Sequence, residues 1–292
     1  MKRGSWLLVA LMIAAMALSC GSSKGRGFPD SADDSGGGGG DSEATDDGAS
    51  DGPAIIADQG SASAFTDVPA EYINQAKANL HVLYGRTLYG MQIDTGMSML
   101  NQENPALYPL ESDFFQVDIT NNDIDSMGDP NAWDQVTRTS LEADATINVV
   151  LWAWGSYVQT LEAEDVELYL DTMSELEADY PDVRFVYMTG HLSNDPARRE
   201  NLKERNEQIR AFCRANGKVL YDFASIESFD PDGTSYEDTD TDACSWCSAW
   251  CTSSVCVACE AGGYCPHSNC FNCYLKGRAF WWLMARLVGW EG

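Results

Sequence analysis

The segment NVVLWAW, residues 148–154, constrains this chain more than any other. It is a nearly continuous apolar run, the pattern expected of a central parallel strand covered on both faces. Shorter runs recur along the chain: HVLYG at 81–85, FFQVDI at 114–119, VRFVYMTG at 183–190 and KVLYDF at 218–223. Helical patterns separate them. One is expected over 89–102, and another, with Trp133, Val136, Leu141 and Ala145 on one face, runs to about 146. Val166, Tyr169, Leu170, Met173, Leu176 and Tyr180 mark the clearest helix, with acids opposite and Pro181 closing it. Asp195 and Pro196 read as the N-cap and first-turn proline of a helix that ends at Gly217. KGRAFWWLMARLVGW forms the last helix. Repeated β-α units predict a three-layer α/β/α domain around a parallel sheet, with ligands received at the carboxyl ends of the strands.

The N-terminal region is of another kind. Lys2 and Arg3 precede an apolar run from Trp6 to Leu18, and AMALSC ends in small residues before Cys20. Residues 1–20 are expected to be a bacterial secretory signal, with a lipobox-like junction that makes Cys20 the lipidated N-terminus. Ala17 stands where a lipobox usually has leucine, and a plain signal with Cys20 incidental is the alternative. Residues 21–65 are rich in glycine, serine and acids, with little to bury, and are expected to be a disordered linker. Residues 66–292, about 230 in number, suit one α/β domain.

The net charge of −27 argues against nucleic acid as a partner, and against an anionic bilayer held by charge alone. The expected membrane contact is the lipid anchor, on the outer membrane or cell surface, because Gly21 rather than an aspartate follows Cys20.

Eight of the ten cysteines crowd into 244–273: Cys244, Cys247, Cys251, Cys256, Cys259, Cys265, Cys270 and Cys273. Three C-x-x-C pairs would suggest zinc in a cytosolic chain. In an exported chain the even local count favours four disulfides, and spacing leaves their connectivity open. Cys213, at an apolar helical position, reads as an inert core thiol. The acidic run at 230–242 raises a calcium site against the plainer reading of a solvated loop. No cofactor or metal is assigned.

Taken together, a turn after the first strand, glycine turns after the second and third, and a histidine before the last helix resemble the SGNH (GDSL-like) hydrolase superfamily. VYMTGHL, RNEQIRAFCRANGKVLYDFASIESFDPDG and KGRAFWWLMARLVGW are similar to a set of bacterial exported proteins assigned to it. The resemblance covers about 80–290 and implies a flavodoxin-like α/β/α fold, with a cysteine-rich insertion before the last helix. It also implies ester or acyl hydrolysis.

Carried over by position, Leu88 stands where the family has its serine nucleophile. Gly128 falls at the oxyanion glycine, Tyr157 at the asparagine, Tyr264 at the aspartate and His267 at the base. Leucine cannot attack a carbonyl, and an imidazole without a carboxylate is neither oriented nor stabilised as it takes a proton. Loss of an oxyanion donor costs about 10²–10³ in rate. The expectation is a tethered binding module for a carbohydrate or acyl-ester ligand, impaired as a hydrolase. The alternative is an esterase using Thr87 as nucleophile and His267 as base. Arg86, Leu88, Asn122, Tyr157, His191 and Asp222 are expected to line the ligand pocket, while His81, at the amino end of a strand, is expected to be structural.

Overall fold

The computed structural model describes residues 52–109, 114–118, 124, 132–193, 195–254, 256–259 and 263–292. The signal segment, Cys20, most of the expected linker, Asn122 and Gly128 lie outside the described residues.

Six parallel strands form one sheet: β1 (Ile55–Ala57), β2 (Val82–Gly85), β3 (Phe115–Asp118), β4 (Val149–Trp152), β5 (Arg184–Met188) and β6 (Val219–Tyr221). Their spatial order is β1-β6-β5-β4-β2-β3. From β2 the chain steps outward to β3, then crosses back to β4 on the other side. This is the flavodoxin-like winding, and its reversal leaves a crevice at the carboxyl ends of β2 and β4. All four residues of β2 are buried, and so are all four of β4, as the nearly continuous apolar run at 148–154 predicts.

Packing explains residue choices along these strands. The Trp152 ring of β4 lies over Gly85 of β2, where an added Cβ would fall 1.9 Å from Cε3 of the indole. Only glycine fits. Trp152 Nε1 also donates to Thr137 Oγ1 at 2.8 Å, which fastens α4 (Ala132–Ala143) to the sheet. With α4, α5 (Ala163–Asp179) and α6 (Pro196–Ala215) cover that face. Asp195 caps α6 through Ala197 N, Pro196 opens the helix, and Gly217 follows its end at φ 62°, as expected from the sequence.

The opposite layer holds α1 (Gln59–Ala64), α2 (Ala70–Asn79), α3 (Met91–Glu103), α7 (Phe223–Ser228) and α9 (Cys270–Leu287), with α9 at its centre. The α9 backbone touches that of α3. A Cβ on Gly96 would lie 1.9 Å from Cys273 O, and one on Gly277 would lie 2.4 Å from Gly96 C. Phe280, Trp281, Leu283 and Met284 are fully buried, and burial of side chains of this size contributes about 1.5–3 kcal/mol each.

Three features differ from expectation. The folded domain begins before residue 66, since Ile55–Ala57 pair in register with Val219–Tyr221 and α1 follows at once. The last helix starts at Cys270, inside the cysteine block. A further helix, α8 (Ser245–Ser253), occupies the start of that block.

All eight cysteines of the block are oxidised, and the pairing left open by the spacing is Cys244–Cys247, Cys251–Cys256, Cys259–Cys270 and Cys265–Cys273. Four disulfides fit a chain that matures in an oxidising compartment. Cys213 is buried and reduced, and burial raises its thiol pKa, which makes it unreactive. Among the described residues no helix is long and apolar enough to cross a membrane.

Candidate functional site

The carboxyl ends of β2, β4, β5 and β6 border a shallow, tightly packed crevice lined by Tyr89, Gly90, Trp154, Met188, Thr189, His191 and Phe223. It has no room for even a water-sized sphere, whereas ordinary small-molecule sites hold roughly 300–1,000 Å³. Tyr89, from the turn after β2, closes it. Its ring lies face to face with His191 at a centroid distance of 3.7 Å and an interplanar angle of 5°. His267 covers the other face at 4.5 Å and 24°.

The two imidazoles differ in environment. His191 is 2 % exposed, and burial pulls its pKa down to about 4, so it is neutral at pH 7. Its Nδ1 lies 2.6 Å from Leu192 O. A carbonyl can only accept, so Nδ1 carries the proton and Nε2 presents a lone pair. Nε2 is buried and has no partner among the described residues, an omission that costs about 1–3 kcal/mol. His267 is exposed and sits in the left-handed region at φ 60°. The Cys265–Cys273 and Cys259–Cys270 disulfides bracket its loop.

A carboxylate stands beside this stack. Asp242 is 4 % exposed. Burial raises its pKa, opposed by the nearby His267 imidazole and by hydrogen bonding from the Tyr89 hydroxyl. Tyr264, at the position where the resemblance expects an aspartate, is 67 % exposed and supplies no carboxylate. Asp242, from the acidic run, is the acid next to His267.

Beneath the stack lies a buried polar cluster. Lys276 of α9 and Glu227 of α7 are both fully inaccessible and pair at 3.1 Å. Lys276 Nζ also donates to Gln92 Oε1 of α3, and it sits 3.7 Å from the centre of the Phe223 ring, a cation–π distance. From this cluster one bond reaches each histidine loop. Gln92 Nε2 donates to Pro266 O at 2.7 Å, next to His267. Leu192 N donates to Glu227 Oε2 at 2.7 Å, next to His191. Burial pushes the Glu227 carboxyl up and the Lys276 ammonium down, each opposed by the charge of the other.

The remaining expected residues divide between rim and support. Leu88 and Tyr157 are 56 % and 58 % exposed, at the carboxyl ends of the adjacent strands β2 and β4. Thr87 is half-buried, and its carbonyl accepts from Met91 N at 3.2 Å. Arg86 turns inward to Asp94 at 2.5 Å, and burial, opposed by Arg86, lifts the Asp94 carboxyl to about 6.

Asp222 does not line the crevice. Its Oδ1 accepts from Thr189, Ser225 N and Arg210, and its Oδ2 accepts from Arg210 at 2.7 Å. It caps α7 and supports the site from within. His81 contributes its backbone N–H to Asn148 Oδ1 at 2.8 Å, at the opposite end of the sheet.

The acidic run has internal partners. Asp230 takes Asp232 N and Thr234 N, Asp238 pairs with Lys203, and Asp240 caps α8 through Ser245 N and Trp246 N. Among the described residues no group of three or more His, Cys, Asp or Glu is arranged to hold a metal ion.

Sequence reasoning missed Tyr89, Gln92, Glu227, Asp242 and Lys276. For Lys276 a signal existed: it shares a helical face with Cys273, Phe280 and Leu283, all buried. A lysine inside such a stripe marks a buried charge that must have a partner. No family model matches this chain and no curated protein does, so the fold and the geometry of the site carry the functional reading.

Proposed function

We propose that this chain is a lipid-tethered bacterial surface protein whose SGNH-hydrolase-like domain binds a carbohydrate or acyl-ester ligand and does not hydrolyse it. One observation carries the reading. The imidazole at the family's base position is stacked on Tyr89, and leucine stands exposed where a nucleophile would be. Esterases of this fold need a hydroxyl within reach of that imidazole and an open space for the acyl group. Here the ring of Tyr89 fills the space. The exposed Leu88, Tyr157 and Tyr264 side chains suit contact with a ligand at the surface.

The test is ester turnover by the oxidised domain on p-nitrophenyl acetate and butyrate. Rates at background are expected, unchanged by Thr87→Ala. Turnover that disappears in both Thr87→Ala and His267→Ala, with folding intact, overturns the reading in favour of a threonine-dependent hydrolase. The tether is tested separately: Cys20→Ala should abolish labelled-palmitate incorporation and release the protein from membranes.

A further inference from the structure

Lys276, Gln92 and Glu227 are each fully inaccessible, and their side chains meet in one place. Lys276 Nζ donates to Gln92 Oε1 and pairs with Glu227 Oε1 at 3.1 Å, while the centre of the Phe223 ring lies 3.7 Å from it. An ion pair alone needs no carboxamide. Here an amine, a carboxamide and a carboxyl group share a pocket closed to water, which is the set of groups that can exchange one amide for another.

We propose that Lys276 and Gln92 join in an intramolecular isopeptide bond, with Glu227 moving the protons. Within the ion pair a proton passes from Nζ to the Glu227 carboxylate, leaving a neutral amine and a neutral acid. The Nζ lone pair attacks Gln92 Cδ and forms the new C–N bond. Glu227 gives its proton to the Gln92 nitrogen, the Cδ–Nε2 bond breaks, and ammonia departs. A proton from Nζ returns to Glu227, which ends as the neutral acid. One amine and one carboxamide become one secondary amide and one ammonia, with no oxidant or reductant.

The surroundings favour each part of this step. Burial lowers the pKa of Lys276 and raises that of Glu227, each opposed by the charge of the other, so the neutral pair is closer to the charged one than in water. A desolvated lysine is a nucleophile. The helices α3 and α9 that carry the reactants touch at Gly96 and Gly277, where a Cβ on Gly277 would lie 2.4 Å from Gly96 C. Gly277 follows Lys276 directly and Gly96 is one turn beyond Gln92, so this backbone contact holds the amine against the carboxamide. Gln92 Nε2 donates to Pro266 O at 2.7 Å, which orients the carboxamide, and the product keeps one N–H for that carbonyl. The bond ties together positions 184 residues apart and restricts the unfolded chain. It involves no ligand and stands independently of the binding reading. The ion pair is its reactant state, carried by molecules in which the bond has not yet formed.

The test is the mass of the whole chain, with cysteines reduced and alkylated, before and after incubation of the folded protein at neutral pH. Wild type should lose the mass of one ammonia. Trypsin should no longer cut after Lys276, and the peptide carrying Gln92 should be joined to the one carrying Lys276. Lys276→Met should keep its full mass. Glu227→Gln, which retains both reactants and an acceptor for Leu192 N, should form the bond about 10²-fold or more slowly. Full mass in folded wild type after incubation overturns the proposal, as does an ammonia loss that maps to any other residues. Bond formation in Glu227→Gln at the wild-type rate overturns the role of Glu227. The wild-type mass decides the bond even where a variant does not fold, and ester turnover bears on none of these results.

Discussion

Lys276 Nζ lies 3.1 Å from Glu227 Oε1, and neither side chain is accessible to solvent. Such pairs are costly to desolvate, and breaking one is worse than removing both partners. Lys276→Met should therefore destabilise the domain by about 3–5 kcal/mol, because it strands a buried carboxylate. The double variant Lys276→Met/Glu227→Gln keeps an acceptor for Leu192 N and should recover most of that loss. Urea denaturation of the three proteins decides it. A double variant no more stable than the single one would show that the pair is not an ion pair in the folded state.

Acid should act through His191. Its folded pKa of about 4 lies below the unfolded value of about 6.5, so the fold favours the neutral ring. That contribution is complete above about pH 6.5 and is lost as pH falls toward 4, for about 3 kcal/mol in all. Asp94, raised to about 6 by burial against the pull of Arg86, works in the opposite sense over an overlapping range. Comparison with His191→Phe isolates the histidine: the variant should lose less stability between pH 6.5 and 4 than the wild type. Parallel stability curves over that range would contradict the assignment.

The paired cysteines should govern His267 more than the rest of the sheet. Intact protein from the periplasm should weigh less than its reduced form by two hydrogens for each of the four disulfides. Removing Cys265–Cys273 as a double alanine variant should cost about 2–4 kcal/mol. It should also move the His267 ring resonances toward those of a free imidazole, with His81 unchanged. A stack that survives this variant would leave Gln92 and Pro266 as the sufficient anchor.

Much of the fold was readable because burial on two faces leaves a strong signature. The run at 148–154 became β4, and the apolar face from Val166 to Leu176 became the buried face of α5. β1 left no such trace, since three residues, Ile55–Ala57, show no period and follow an acidic, glycine-rich tract. In the cysteine block the residue pattern concealed α8, because half-cystines follow their partners rather than a helical face. The site was legible only where it coincides with strand ends: His191 and His267 could be singled out, being two of three histidines. Asp242 could not be told from its acidic neighbours, since only tertiary packing decides which carboxylate of the run turns inward.

Serine at residue 88, where the resemblance expects a nucleophile, should not create esterase activity. Leu88→Ser is expected to leave p-nitrophenyl ester turnover at background, because His267 faces Tyr89 and the exposed Tyr157 side chain offers no amide donor for an oxyanion. A clear gain over the parent in that assay would mean that His267 can leave the ring stack and reach residue 88. The same variant should fold as well as the parent, since residue 88 is exposed and leaves no cavity when shortened.

The short strand β1 has a mechanical consequence. It is the first element of the described fold, and it lies at one edge of the sheet, joined to β6 over three register pairs. A load drawn along the chain from its amino-terminal side meets these pairs before any other part of the sheet. Because β1 and β6 are parallel, traction along the strand shears all three pairs together and does not unzip them singly. The first event under tension would be the loss of β1 as a unit, followed by α1 peeling from α9, with the strands that carry Tyr89, His191 and the crevice still in place.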